Sequence, residues 1–434
     1  MFSLIKRLVQ LGLVCVLIAL SYFGWSVYQA SKESPGEPLQ VVAATWMRDH
    51  NLGAVVAKLE DFYYTHINTA EVGGRPVVSA LVNNDGSDLV SDLPPRALPT
   101  PLGSAQTATT QPTPAQSAST TATPEATPDF SFAPLPKPTT QVIPLDGVVA
   151  HLDPPTALIS PASVPEPMEG TWQPVGNTVA GSPAVYVTRV RTDNLHTSYY
   201  ATAMWIDTKL TKTMFIPGYE EPKGGPNPFG GSLPAEFLPL LLANTNGAFR
   251  LEDARGGYFY DGVVVKPLEA RRASAVIYRD GRLTVGRWGR DFQLTPDVLA
   301  VRQNLDLIVD HGQSQVNNPA YSASWGATTD KENLAWRAGM GQRADGSIVY
   351  VIGQALSAQS LADTLVATGV RRGMVLDMNQ YWSAGFYFSH TRAGSVVCHR
   401  LDPDIGGPCD RFLRSYKRDS FQFLAAYPIG PKVN

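Results

Sequence analysis

"RRGMVLDMNQYWSAGF", Arg371 to Phe386, is the stretch on which the reading of this chain turns. Met374, Val375 and Leu376 belong in a buried strand, yet Asp377, Met378, Asn379 and Gln380 follow at once. Just upstream, "LSAQSLADTLVATGV" has the marks of a helix. Ser357 can cap it, Leu361, Leu365 and Val366 form its apolar face, and Gly369 sits where a left-handed C-terminal residue is wanted. A strand near 347–352, this helix and a strand at 373–377 make a βαβ unit, with parallel strands and a right-handed crossover expected. In sheets containing parallel strands, ligands bind beyond the carboxyl ends of those strands, and Asp377 emerges at such an end. The plainer alternative is a turn, which Asp and Asn also favour.

Working outward, "AVYVTRVRT" and "YYATAMWID" alternate as strands. "SAVIYRDGRLTVGRWG" and "GQRADGSIVYVIG" each place Asp-Gly between two β-rich runs, a hairpin signal. The expected fold class is α+β: a mixed sheet rich in strands, with β-hairpins and a βαβ unit, over a domain spanning 141–434.

Ahead of that domain the composition changes. Lys6 and Arg7 precede an apolar run from Leu8 to about Tyr28, long enough to span a bilayer. It exceeds a usual signal-peptide core and no clean cleavage site follows, so residues 1–30 are expected to be an uncleaved anchor with the rest of the chain outside the cytoplasm. Residues 31–83 contain "PLQVVAATWMRDHNLGAVVAKLEDFYYTHI", whose apolar spacing fits one or two short amphipathic helices. These could pack on the membrane, on the main domain, or on a protein partner through 39–67. From 84 to 140 the chain is rich in Pro, Ala and Thr and is expected to be a disordered, semi-extended linker.

The 434 residues carry a formal net charge of -3 and no long basic run, which argues against nucleic acid as a partner. Of three cysteines, Cys15 lies in the apolar run, while Cys398 and Cys409 bracket "HRLDPDIGGP". A disulfide between them is expected, stabilising by roughly 2 to 3 kcal/mol for so short a loop. One intervening His399 and no second cysteine pair make a poor zinc set, so no metal is expected there.

Three further concentrations of polar groups accompany the one at Asp377. "FLPLLLANTNGAFRLEDARGGYFYDG" follows an apolar run with Asn246, Gly247, Phe249, Arg250 and Asp253. "VRQNLDLIVDHGQ" carries Arg302 and Asn304 before an alternating strand that ends at Asp310 and His311. "NLAWRAGMGQ" sets Arg337 alone in an apolar, glycine-rich context, where a guanidinium is costly unless it meets an anion. No nucleophile elbow, H-E-x-x-H helix, P-loop or dinucleotide fingerprint competes.

In this order the segments "NTNGAF", "IVDHG", "WRAGMGQRADG", the helix at 357–368 and "LDMNQYW" resemble the phosphodiester glycosidase family over roughly Val185 to Phe388. Ala248 stands where that family's first motif has its second glycine, and Met378, Asn379 and Gln380 replace the glycines after the closing aspartate. The chain resembles in particular bacterial envelope-anchored members with the same L-D-x-N variant. The resemblance implies hydrolysis of a sugar-1-phosphodiester, without a cofactor, in an envelope polymer or exopolysaccharide. Asp377, then Asp310, would activate water or attack the anomeric carbon, and Arg337, with Arg250 or Arg302, would clamp the phosphate. Asn246 and Asn379 would bind hydroxyls, and Trp382 would stack on a ring. The alternatives are a non-catalytic carbohydrate or envelope-polymer binding module using the same pocket, and an interaction scaffold acting through 39–67.

Overall fold

Both Asp-Gly pairs close hairpins. Asp280 and Gly281 join Ala273–Tyr278 to Leu283–Arg287, and Asp345 and Gly346 join Ala335–Arg343 to Ile348–Leu356. Gly281 and Gly346 have φ of 87° and 91°, a backbone setting that a Cβ would strain. The computed structural model describes residues 2–33, 37–67, 69–76, 88–89, 139–144, 147–318, 325 and 333–433.

These strands belong to three sheets. The nine-stranded sheet runs Gln313–Ser314, Leu307–Asp310, Val370–Met378, Ala335–Arg343, Ile348–Leu356, Ala201–Ile206, Ser182–Val190, Gln173–Val179 and Ile429–Lys432. A six-stranded sheet contains Gly385–His390, Leu241–Asn246 and Ser420–Ala425 as consecutive neighbours, and the five-stranded sheet centres on Ala273–Tyr278 and Val298–Gln303. The α+β class expected from the sequence is the class observed.

Period-two alternation decides which face each residue serves. Ile348, Tyr350 and Ile352 join the main core, which includes Met204, Phe215, Ile277 and Phe421 from all three sheets. Val349 and Val351 point the other way, onto the helix that follows, where they meet Leu361 and Leu365. That helix is Ala358–Ala367, capped as expected: Ser357 Oγ accepts from Ser360 N–H at 3.0 Å, and Gly369 has φ 84°.

The expected βαβ unit carries a further strand inside it. Ile348–Leu356 and Val370–Met378 are parallel, but they are not neighbours, because Ala335–Arg343 lies between them and pairs antiparallel with both. The hairpin at Asp345 lays its first strand into the gap that the helical crossover leaves.

Three helices precede the domain: α1 (Phe2–Glu33), α2 (Leu39–Asp49) and α3 (Gly53–Phe62). Within α1, Gln10–Lys32 is long and apolar enough to cross a membrane. Part of 39–67 packs on the domain. Asp49 pairs with Arg250, Glu37 with Lys417, and Asn333 Nδ2 donates to Asp61 Oδ1 at 3.2 Å. Arg75 donates to both carboxylate oxygens of Glu166, at 2.8 and 2.7 Å. The expected linker, 84–140, lies mostly outside the described residues; within it, Asp88–Leu89 pairs with Val396–Arg400 as a short strand. Cys398 and Cys409 are joined as a disulfide that closes the loop carrying Asp402 and Asp404.

Candidate functional site

Asp377 is 7% exposed, one residue from the end of its strand. Its Oδ1 accepts from the Met378 N–H at 2.8 Å, and its Oδ2 lies 4.0 Å from Arg418 Nη1. Burial pushes the carboxyl up to about 6; Arg418, the Met378 hydrogen bond and Arg48 of α2 oppose that rise, and Asp419 adds to it. The Arg418 guanidinium sits 4.4 Å over the Trp382 ring, and its Nη1 is buried without a hydrogen-bond partner.

Beside this group, Asp419 and Arg302 form an ion pair taken out of water. Arg302 Nε donates to Asp419 Oδ2 at 2.7 Å, and the two side chains are 0% and 1% exposed. Asp419 Oδ1 is buried without a partner and lies against Gly247, where an added Cβ would stand 2.3 Å from it. Burial raises the Asp419 carboxyl, opposed by the charge and hydrogen bond of Arg302. The local chain brings these groups together: Ser420 pairs with Asn246 across the antiparallel ladder, so Lys417, Arg418 and Asp419 enter their strand where the Asn246 strand leaves.

Of the residues singled out from the sequence, Asp377, Trp382, Arg302 and Gly247 thus meet in one cluster. Phe249 joins its edge, its carbonyl accepting from Arg302 Nη2. Arg250 is held by Asp49, with Glu221 Oε1 at 3.6 Å, so its charge is already answered. Asn246 spends its Oδ1 on the Tyr350 hydroxyl at 2.7 Å and the Ala384 N–H at 3.1 Å, and is a structural bridge between sheets. Asn379 has φ 74° and accepts from the N–H groups of Tyr381 and Trp382, which makes it the turn former that positions Trp382.

Three expectations are corrected. Asp310 is at the opposite end of the sheet: it registers with Arg372, five residues before Asp377, or about 17 Å along the strand. The antiparallel pairing of Leu307–Asp310 with Val370–Met378 points their carboxyl ends in opposite directions. Asp310 there accepts from Arg290 at 2.7 and 2.9 Å, and His311 beside it is 67% exposed. Asp253 is exposed on the surface, away from these contacts. Arg337 is at the right end, in register with Met378, and donates to the carbonyl oxygens of Leu356, Trp325 and Asn333 and to Met378 Sδ.

Sequence reasoning missed Lys417, Arg418 and Asp419. The signal was present: "YKRDS" sets three charges directly before the apolar strand "FQFLAA". Strand starts deserve the same scrutiny as strand ends, because antiparallel neighbours share them.

A cavity of about 300 Å³ lies by the same strand end, lined by Tyr63, Tyr64, Trp336, Gln354, Gln380 and Asp404 among others. Gln354 Nε2 donates to Asp404 Oδ2 at 2.7 Å and Gln380 Nε2 to the Asp404 carbonyl at 2.9 Å. Aromatic walls with amides and one carboxylate form a surface for a hydroxylated ring. Among the described residues, no group of three or more His, Cys, Asp or Glu side chains is placed to hold a metal ion.

No protein-family model matches the chain, and no curated protein does. Among solved structures, it is similar to the catalytic domain of zebrafish N-acetylglucosamine-1-phosphodiester alpha-N-acetylglucosaminidase, auto-inhibited by its pro-peptide. The two share 15% identity at a TM-score of 0.38, over 58% of this chain and 87% of that one. A hypothetical protein from Synechocystis is similar at 8% identity and a TM-score of 0.30, over 58% of this chain and 68% of that one. At these values the functional reading rests on the geometry above.

Proposed function

We propose that the protein is a membrane-anchored, extracytoplasmic hydrolase that cleaves a sugar-1-phosphodiester between the anomeric carbon and the phosphate oxygen. The observation that carries this reading is the pairing of Asp377, a buried carboxyl poised at about 6, with Arg418, whose Nη1 has no hydrogen-bond partner beside it. Such a pair supplies what the reaction demands. The departing phosphomonoester has a second pKa near 6, so it leaves at neutral pH without much protonation, and a cation for its growing charge matters more than an acid. Arg418 is that cation. Asp377, ionised above pH 6, activates water or attacks the anomeric carbon.

Asp419 stays paired with Arg302 behind the site, while the Trp382 ring lies under Arg418 and positions that guanidinium. The anchor reading rests on the apolar span Gln10–Lys32 and on Lys6 and Arg7 ahead of it, which keep the N-terminus inside and the domain outside. Incubation of the detergent-solubilised full chain with a panel of sugar-1-phosphodiesters is expected to release reducing sugar and phosphomonoester in equal amounts. Saturable binding with no release would favour the carbohydrate-binding alternative.

A further inference from the structure

Leu52, Val55, Leu59 and Phe62 follow at spacings of three, four and three, one face of α3, and are 39%, 45%, 56% and 53% exposed. One flank of the stripe is packed: Val56, adjoining Leu52 and Leu59, is buried, and Glu60 holds Arg48 of α2 at 2.7 Å. Ile67, just beyond the helix, is exposed as well. An apolar stripe of this size on a ten-residue helix marks a contact surface.

The place of that stripe relative to α1 says what covers it. Tyr22, Trp25 and Tyr28 are exposed near the outer end of α1, the aromatic belt expected where a spanning helix meets the headgroups. At that level α2 folds back onto α1. Trp46 Nε1 donates to Ser26 Oγ at 2.7 Å, and the Trp46 ring packs edge-on against Phe23 with centroids 5.2 Å apart. The same α2 reaches the candidate site through Asp49, which pairs with Arg250, and through the charge of Arg48 on Asp377. Glu37 is only four residues past the end of α1, within about 14 Å of chain from that end, and it pairs with Lys417, which lies over the Trp382 ring.

We infer that the α3 stripe lies in the outer bilayer interface and holds the Asp377 site at the membrane surface, so that its substrate is an amphiphilic, lipid-linked sugar-1-phosphodiester. The seating follows from α1, α2 and α3 alone. The sugar-phosphodiester head group rests on the proposed function. A helix of this kind buries its apolar face at the boundary of headgroups and acyl chains.

The test uses the full chain with Cys15→Ser and Leu59→Cys, labelled at residue 59 with an environment-sensitive fluorophore, in phosphatidylcholine and phosphatidylglycerol vesicles. Quenching by doxyl-labelled lipid with protection from iodide is expected. Quenching by iodide alone, or protection from both quenchers because protein covers the stripe, overturns the seating. In the same vesicles, a sugar-1-phosphodiester with a hexadecyl aglycone is expected to show kcat/KM at least tenfold above its methyl counterpart. Leu59→Glu with Phe62→Glu should remove that advantage and leave the methyl compound's rate unchanged. Equal rates for the two aglycones overturn the lipid-linked substrate. Lipid quenching with no turnover of either compound leaves the seating in place and refutes the hydrolase reading alone.

Discussion

Asp310 and Asp377 look alike in the sequence, each an aspartate that ends an apolar strand, and the fold makes them opposites. Asp310 is half-buried with the Arg290 guanidinium across both oxygens; burial alone would raise its carboxyl, but that hydrogen-bonded charge holds it below the usual range. Asp377 is enclosed with its nearest guanidinium 4.0 Å away, so burial wins and the group titrates near 6. The lesson is that a strand end becomes chemically useful through what opposes its charge. An aspartate already answered by a bidentate arginine has little left to give a substrate.

The largest effect should separate the two aspartates outright. Asp377→Asn is expected to lower turnover of the sugar-1-phosphodiester by about 10²–10⁴-fold, the range for loss of a general acid or base. Asp310→Asn should stay within about twofold of wild type in the same assay.

A second test reads stability beneath the site. Arg302→Ala leaves Asp419 buried and unpaired, and should cost about 3–5 kcal/mol in chemical denaturation. Arg290→Ala at the surface pair should cost no more than about 1 kcal/mol, since solvent screens it.

The pH dependence of stability should run in opposite directions at the two positions. Asp377 is raised from 3.8 to about 6, so the folded state holds a proton that the unfolded chain releases between those values. Its contribution is full below that window and falls by on the order of 3 kcal/mol as pH rises through it. Asp310 is depressed, so its contribution is present above the ordinary carboxylate range and is lost as pH falls through its lowered value. Denaturation midpoints of Asp377→Asn and Asp310→Asn, measured against wild type from about pH 2 to 8, should diverge with these signs, Asp377 above the ordinary carboxylate value and Asp310 below it.

Much of this architecture is legible in the residues themselves. The Asp-Gly hairpins, the Ser357 cap, the Gly369 stop and the Cys398 to Cys409 closure are local, and local chemistry specifies them. What escapes is pairing between distant segments. The insertion of Ala335–Arg343 between the two parallel strands, and the antiparallel register that sends Asp310 to the far end, depend on which strands meet. Arg337 shows the same limit at one residue: its apolar neighbours predict a need for acceptors, and carbonyl oxygens from Leu356 and Asn333, which the sequence alone does not point to, are among those it finds. Arg418 and Asp419 were within reach, since charges before an apolar strand are as visible as charges after one.

The pH profile of kcat/KM for phosphodiester hydrolysis, taken for wild type and Asp310→Asn side by side, tests the central claim most directly. The account predicts a rate that rises with pH through a break near 6, where Asp377 ionises, and the same break in Asp310→Asn. A profile flat across that region, or a break that disappears when Asp310 is replaced, would contradict it.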